Sequence, residues 1–217
     1  MGGSTLLHNG GYAVIPLLLA HPGINVNLKD SYGRTAFLYA CYGYTSSVLE
    51  MLKDSKVRVN EPATSGETPL WVAARSCPVD VVEWWIASGR EMDLGTPGDE
   101  KTDAILGAKN NDKTEVATLL ERFKENPVET RHAVRLKIGW YDEAAAEMFA
   151  LVVFVSDGLL QVNDTKITTP AAKYFKIAAQ LPLELQMVMC YRLVGAAKEI
   201  IRGKESEVAF KWLAKWI

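Results

Sequence analysis

Residues 66–74, Gly66-Glu67-Thr68-Pro69-Leu70-Trp71-Val72-Ala73-Ala74, decide the fold. Gly66 sits where the chain must turn sharply. Thr68 is a good helix N-cap, and Pro69 stands at the first helical position, where its missing N–H costs nothing. The pattern recurs along the chain. Gly33 and Gly66 are 33 residues apart, Asn27, Asn60 and Asp93 are each 33 apart, and Thr35, Thr68 and Thr102 are 33 and then 34 apart. A period held by several residue types at once marks a stacked-repeat architecture, in which no unit buries its apolar face alone and about three are needed for stability. Residues 25–52, 58–86 and 91–120 superpose on this period.

These segments resemble the ankyrin repeat, which runs from a turn through Gly-x-Thr-Pro-Leu into Ala-Ala, then Gly-His and a second helix carrying Val and Leu-Leu. Gly66 to Leu70 with Ala73-Ala74 matches closely, followed by Val81-Val82 and by Trp85-Ile86 at the Leu pair. The repeat before it has Ala36 for Pro, Tyr44 for His and one residue fewer before Gly43. The last has lost Thr-Pro-Leu and keeps Thr102, Ala108, Val116 and Leu119-Leu120. Thr5-Leu6-Leu7-His8 to Val26-Asn27 reads as an opening half-repeat whose first helix is about three residues short, as in a worn or truncated cap.

The resemblance implies inner helices kept close by Ala40, Ala73, Ala74 and Ala108. It also implies second helices that turn Val48, Met51, Leu52, Val82, Trp85, Val116 and Leu119 toward the next repeat. It further implies a concave face that binds other proteins. The exposed positions expected there are Lys29, Ser31, Tyr32 and Arg34 on one turn tip and Ala63, Thr64 and Glu67 on the next, with Tyr42, Arg75, Lys109 and Asn110 on the inner helices. Tyr and Arg are the residue types that dominate binding energy at interfaces.

Asn126-Pro127-Val128-Glu129 combines an Asn cap, Pro at the first position and Glu at the third, so a new helix and a second domain, 127–217, are predicted to start there. That helix should end near Gly139. Asp142 should cap a central, buried helix stopping at Ser156-Asp157-Gly158; after the loop at 162–169, Pro170 and Pro182 should open two more, and Glu205-Ser206 a last one bearing Val208, Trp212, Leu213, Trp216 and Ile217 on one stripe. The expected fold is all-α: an ankyrin-repeat solenoid (1–126) followed by a compact helical domain of five helices.

Within that domain Leu181-Pro182-Leu183-Glu184-Leu185, with Met189 and Leu193 one and two further turns along, resembles the opening of the F-box, which docks on the Skp1 subunit of a ubiquitin ligase. Ala209-Phe210-Lys211-Trp212-Leu213 is similar to the later Trp-containing helix of that module. Ankyrin repeats followed by such a segment are also an arrangement of poxvirus ankyrin proteins, in which the segment recruits a ligase and the repeats choose the substrate. Leu181, Pro182, Glu184, Leu185, Met189 and Leu193 would then contact Skp1. The same Leu-Pro-x-Glu-Leu is equally a good helix start with an apolar stripe.

Other chemistries find no support. Lys and Arg number 12 against 16 Asp and Glu in residues 1–126, a net of −4, and 12 against 10 in 127–217, a net of +2. Neither balance points to nucleic acid. The cysteines, Cys41, Cys77 and Cys190, are widely spaced and read as buried thiols in a reducing compartment. His8 and His21 have structural explanations, and His132 lies on a basic amphipathic face; no pair has metal-ligand spacing. No phosphate-binding glycine loop is present. The apolar run Phe149 to Val155 is seven residues, against the ~20 that span a bilayer. We therefore expect a cytoplasmic, non-enzymatic interaction protein without cofactor, metal or membrane span, binding a protein partner. A third reading is head-to-tail self-association through Leu6, Leu7, Ile15 and Leu18 on the opening repeat.

Overall fold

The computed structural model describes residues 5–9, 14–160, 170–195, 201, 206–209 and 211. Its contacts divide the chain into two compact units, Met1–Val134 and Arg135–Ile217. In the first, helices come in pairs: α1 (Leu6–Asn9) and α2 (Ile15–Ala20), α3 (Ala36–Ala40) and α4 (Thr45–Lys53), α5 (Pro69–Ser76) and α6 (Val79–Ser88), α7 (Ala104–Lys109) and α8 (Thr114–Glu125). The odd-numbered helices stack on one another in chain order and the even-numbered ones stack beside them, making a two-layer solenoid. Among the described residues no strand forms, only an isolated antiparallel bridge between Lys29 and Thr35 at a turn tip.

Local sequence places each inner helix. The Thr35 and Thr68 hydroxyls accept the amides of Leu38 (3.2 Å) and Trp71 (3.4 Å), each satisfying a donor the helix start leaves open. The last repeat differs. Asp103, not Thr102, caps α7, its carboxylate accepting from Ile105 and Leu106 at 3.0 Å each. The additional residue in this repeat's spacing leaves Thr102 in the loop, where its hydroxyl accepts the Thr96 amide at 3.1 Å.

The core between the layers is the one expected. Val48, Met51, Leu52, Val82, Trp85, Val116 and Leu119 are buried on the second helices, and Ala40, Ala73, Ala74 and Ala108 on the inner ones. Phe37 meets Trp85 edge to face, with centroids 5.0 Å apart, joining adjacent repeats. Polar bonds cross the repeats as well. Arg90 donates to the carbonyl of Asp54 (2.7 Å) and to that of Val57, closing the end of α4. At the tips the Thr64 amide donates to Tyr32 O at 3.0 Å, and a Cβ on Gly33 would stand 2.3 Å from Thr64 Oγ1. With φ at +72°, Gly33 is therefore required on two counts: backbone conformation and the close stacking of neighbouring tips.

The opening pair departs from expectation. Leu7 and Ile15 are buried and Leu18 is partly buried, because α1 packs on α3 and α2 on α4, turning these side chains toward the second repeat. Among the described residues of this pair, the exposed large apolar side chains are Leu6, Val14 and Leu17. His8 is buried; its Nδ1 accepts the Thr5 amide (3.2 Å), so Nε2 carries the proton donated to Arg34 O (3.0 Å).

Helix α9 (Pro127–Lys137) begins where predicted. Asn126 Oδ1 accepts the Glu129 amide at 3.1 Å while Asn126 Nδ2 donates to the Glu129 carboxylate at 2.8 Å. Its first turns belong to the repeat unit: Thr130 Oγ1 donates to Arg122 O (3.0 Å), Arg131 Nε donates to Ile86 O (3.1 Å) and Val134 is buried. The division between units falls at Val134/Arg135, eight residues after the sequence boundary at Asn126/Pro127.

In the second unit α10 (Trp140–Ser156) packs on α11 (Pro170–Ala178) and α12 (Leu183–Leu193). Ala145, Ala146, Phe149, Ala150 and Val152 of α10 form a core with Ala178, Cys190, Tyr191, Ile201 and Ala209. Asp142 does not cap α10. Gly139, in a left-handed conformation (φ +70°), turns the chain directly from α9 into α10, which leaves Asp142 inside the first turn, where it accepts the Tyr191 hydroxyl at 3.3 Å. The stop is as expected, with Asp157 as C-cap and Gly158 at φ +72°. Of the last predicted helix, residues 206–209 are helical. Trp212, Leu213, Trp216, Ile217 and Phe210, and the loop at 162–169, lie outside the described residues.

Candidate protein-binding face

The turn tips carry an organised charge-aromatic cluster. Asp30 is buried and accepts the amides of Tyr32 and Arg34, both at 2.9 Å, as well as the Arg34 guanidinium at 2.9 and 2.8 Å. Burial opposes the carboxylate charge, but these four bonds outweigh it and hold the Asp30 pKa below its ordinary value. Arg34 stands 4.7 Å from the Tyr32 ring centroid and 5.4 Å from that of Tyr39, and Tyr39 stacks on Tyr44 at 5.8 Å. Lys29 reaches across to the next repeat, donating to Pro62 O and pairing with Glu61, both at 3.2 Å. The Lys29 bond holds the Glu61 carboxyl below its usual range.

A row of side chains runs along the inner helices. Tyr42, Arg75 and Lys109 each lie seven residues after the repeat threonines Thr35, Thr68 and Thr102. The Tyr42 hydroxyl donates to Glu67 Oε2 at 3.0 Å, and Ser65 Oγ donates to the same oxygen at 3.0 Å. Burial and then the Glu67 bond raise the Tyr42 pKa, against the opposing charges of Arg34 and Arg75. Arg75 is half-buried with its guanidinium 4.6 Å from the Trp71 ring centroid. Lys109 pairs with Glu121 at 2.6 Å, and Asn110 is the exposed C-cap of α7.

Lys29, Ser31, Tyr32, Thr64, Tyr42, Lys109 and Asn110 are exposed, whereas Arg34, Glu67 and Arg75 are half-buried. Ala63 is a correction. It is buried, because its amide and the Glu67 carbonyl close the tip at 3.0 Å and fold its methyl inward, so it offers nothing to a partner. Tyr39, Tyr44, Ser65 and Trp71 belong to this face and were not anticipated. The repeat period held their signal, since Trp71 stands two residues after Pro69 and underlies Arg75 one helical turn on.

In α12 the expected stripe is divided. Leu185 and Leu193 are exposed at 50% and 52%, with Leu183, Pro182 and Glu184 also outward, while Met189 packs against the core and Leu181 is half-buried. The face turned inward is Gln186, Cys190 and Tyr191, with Gln186 Nε2 donating to Leu181 O at 2.9 Å.

The stacked cap-helix-helix units, with caps at Thr35, Thr68 and Asp103, are the deciding geometry. Residues 6–97 match the family model of ankyrin repeats, in three copies. This region is an ankyrin-repeat array, a protein-protein interaction module. The α7–α8 pair, past the matched residues, continues the array's stacking on α5 and α6. Among the described residues no cluster of His, Cys, Asp and Glu could hold a metal ion, and no helix is long and apolar enough to cross a membrane.

Proposed function

We propose that the protein is a non-enzymatic cytoplasmic scaffold that holds a protein partner on the concave face of its ankyrin array. The observation carrying this reading is the set Tyr42, Arg75 and Lys109, which stand at or just past the C-terminal ends of the successive inner helices α3, α5 and α7, with the exposed Tyr32 and Thr64 at the turn tips. Tyr there gives large contact area with few rotors to freeze, and Arg brings a planar fork of donors. The test is selection of displayed random dodecapeptides on the immobilised full chain. Selected peptides should lose binding to Tyr42→Ala and Lys109→Ala but not to Leu185→Ala; peptides indifferent to the first two changes would overturn the concave-face reading.

A second reading, a ligase adaptor using the F-box-like segment, is favoured by one observation. Leu183, Leu185 and Leu193 expose about half of their surface on α12, which a docking helix requires and a fully buried one would not show. Light-scattering mass with and without purified Skp1 tests it: a monomer that gains one Skp1, and fails to do so as Leu185→Asp, supports the adaptor. A monomer that ignores Skp1 removes it, and a larger mass without Skp1 supports self-association, for which the exposed Leu6 and Leu17 are the candidates.

A further inference from the structure

The cations of the concave face are not equivalent. Lys29 is matched by Glu61, Arg34 by Asp30 and Lys109 by Glu121, at 3.2, 2.8 and 2.6 Å. Arg75 has no such match. Among the described residues no carboxylate pairs with it and no carbonyl accepts from it, and Glu67, the carboxylate of the neighbouring tip, is engaged by the Tyr42 and Ser65 hydroxyls. Its guanidinium carbon lies over the ring of the buried Trp71, 4.6 Å from the centroid, and Trp71 is itself wedged: a Cβ on Gly107 would come within 2.9 Å of the indole. A half-buried guanidinium held on a fixed ring, with its donors free, is pre-organised for an anion and has already lost much of the freedom that binding would otherwise remove.

We propose that Arg75 anchors an Asp or Glu side chain of an extended partner segment lying along the Tyr42–Arg75–Lys109 row, an inference that rests on the concave-face reading above. A carboxylate fits better than a phosphate. The guanidinium fork matches two carboxylate oxygens, and Lys29, Arg34 and Lys109 are each paired with a carboxylate, so they do not join Arg75 in the cluster of cations that a phosphate favours. Tyr42 on one side supplies an aromatic surface for an apolar neighbour of the acid. Because a charge-assisted pair in a partly desolvated groove is strong, the acid is expected to set which segments bind, and the aromatic surface how tightly.

The experiment uses the same displayed dodecapeptides on the full-length chain. Selected peptides share an Asp or Glu, and a synthetic copy with that residue changed to Gln binds about tenfold or more weakly. Arg75→Gln causes a similar loss, and combining the two changes costs little more than either alone, which is the sign of a direct pair. Arg75→Lys, which keeps the charge without the planar fork, recovers part of the affinity. Circular dichroism melting of each Arg75 variant stays close to the native protein, since Arg75 makes no hydrogen bond within the fold and its substitution removes only the contact with the Trp71 ring. Peptides that need Tyr42 and Lys109 but bind Arg75→Gln as well as the native chain overturn the acid anchor and leave the concave face standing; peptides indifferent to all three overturn both. Selection of peptides without an acid also overturns the anchor.

Discussion

Asp30 and Arg34 show how one tip is held by charge. The Asp30 pKa is depressed in the folded protein relative to 3.8, so the carboxylate contributes stability above the unfolded value that is lost as pH falls through the lower folded one. Native protein should therefore lose melting temperature more steeply between about pH 4 and pH 2 than Asp30→Asn, which starts lower at neutral pH but changes less. Thermal melts across that range decide it. The thiols behave in the opposite sense. Burial pushes Cys77 up to about 11 and raises Cys41 and Cys190, and all three are free and buried. Iodoacetamide near pH 8 should leave the native chain unmodified and label all three only after unfolding, as mass spectrometry would read. The pairing of Arg34 with Asp30 is local enough to have been seen in Asp30-Ser31-Tyr32-Gly33-Arg34, whereas the burial of Ala63 was not, because it depends on how the tip closes.

At the scale of elements, the repeats are joined by a few large side chains. Trp85 is fully buried and edge-on to Phe37 of the preceding repeat. Trp85→Ala should cost about 3–5 kcal/mol in urea unfolding, since a rigid stack cannot collapse onto the vacancy. Gly107→Ala tests the opposite error. Alanine favours a helix over glycine by about 1 kcal/mol, but its Cβ would press within 2.9 Å of the Trp71 indole. Overpacking of about 1–3 kcal/mol should dominate, giving a net loss. The even-helix core was legible in the sequence because its apolar spacing repeats with the period. Helix α12 was less so. It is apolar on several sides, so the stripe Leu185-Met189-Leu193 and the face Gln186-Cys190-Tyr191 compete, and packing on α10 selected the latter. Gln186 is held there by its Nε2, which donates to Leu181 O and Ser156 Oγ at 2.9 and 3.4 Å, while its buried Oε1 has no partner among the described residues.

For the whole molecule, the position of α9 sets where the repeat unit ends. Residues 1–134 expressed alone should melt cooperatively and at higher temperature than residues 1–126, which lack the bonds from Thr130 to Arg122 and from Arg131 to Ile86; equal melting temperatures would show that α9 adds nothing to the array. The sequence by itself determined the period, the threonine caps, the alternation of small inner and large outer side chains, and the cap at Asn126, since each depends on residues within one or two helical turns. It also marked Tyr42, Arg75, Lys109 and Asn110 as candidates on the inner helices. Only the tertiary structure decided which of the face's cations are neutralised, that Asp103 replaces Thr102 as a cap, that Leu7 and Ile15 turn inward, and which side of α12 meets the core. Those outcomes depend on distances between segments far apart in the chain, and a local pattern carries the partners' identities but not the separations that choose among them.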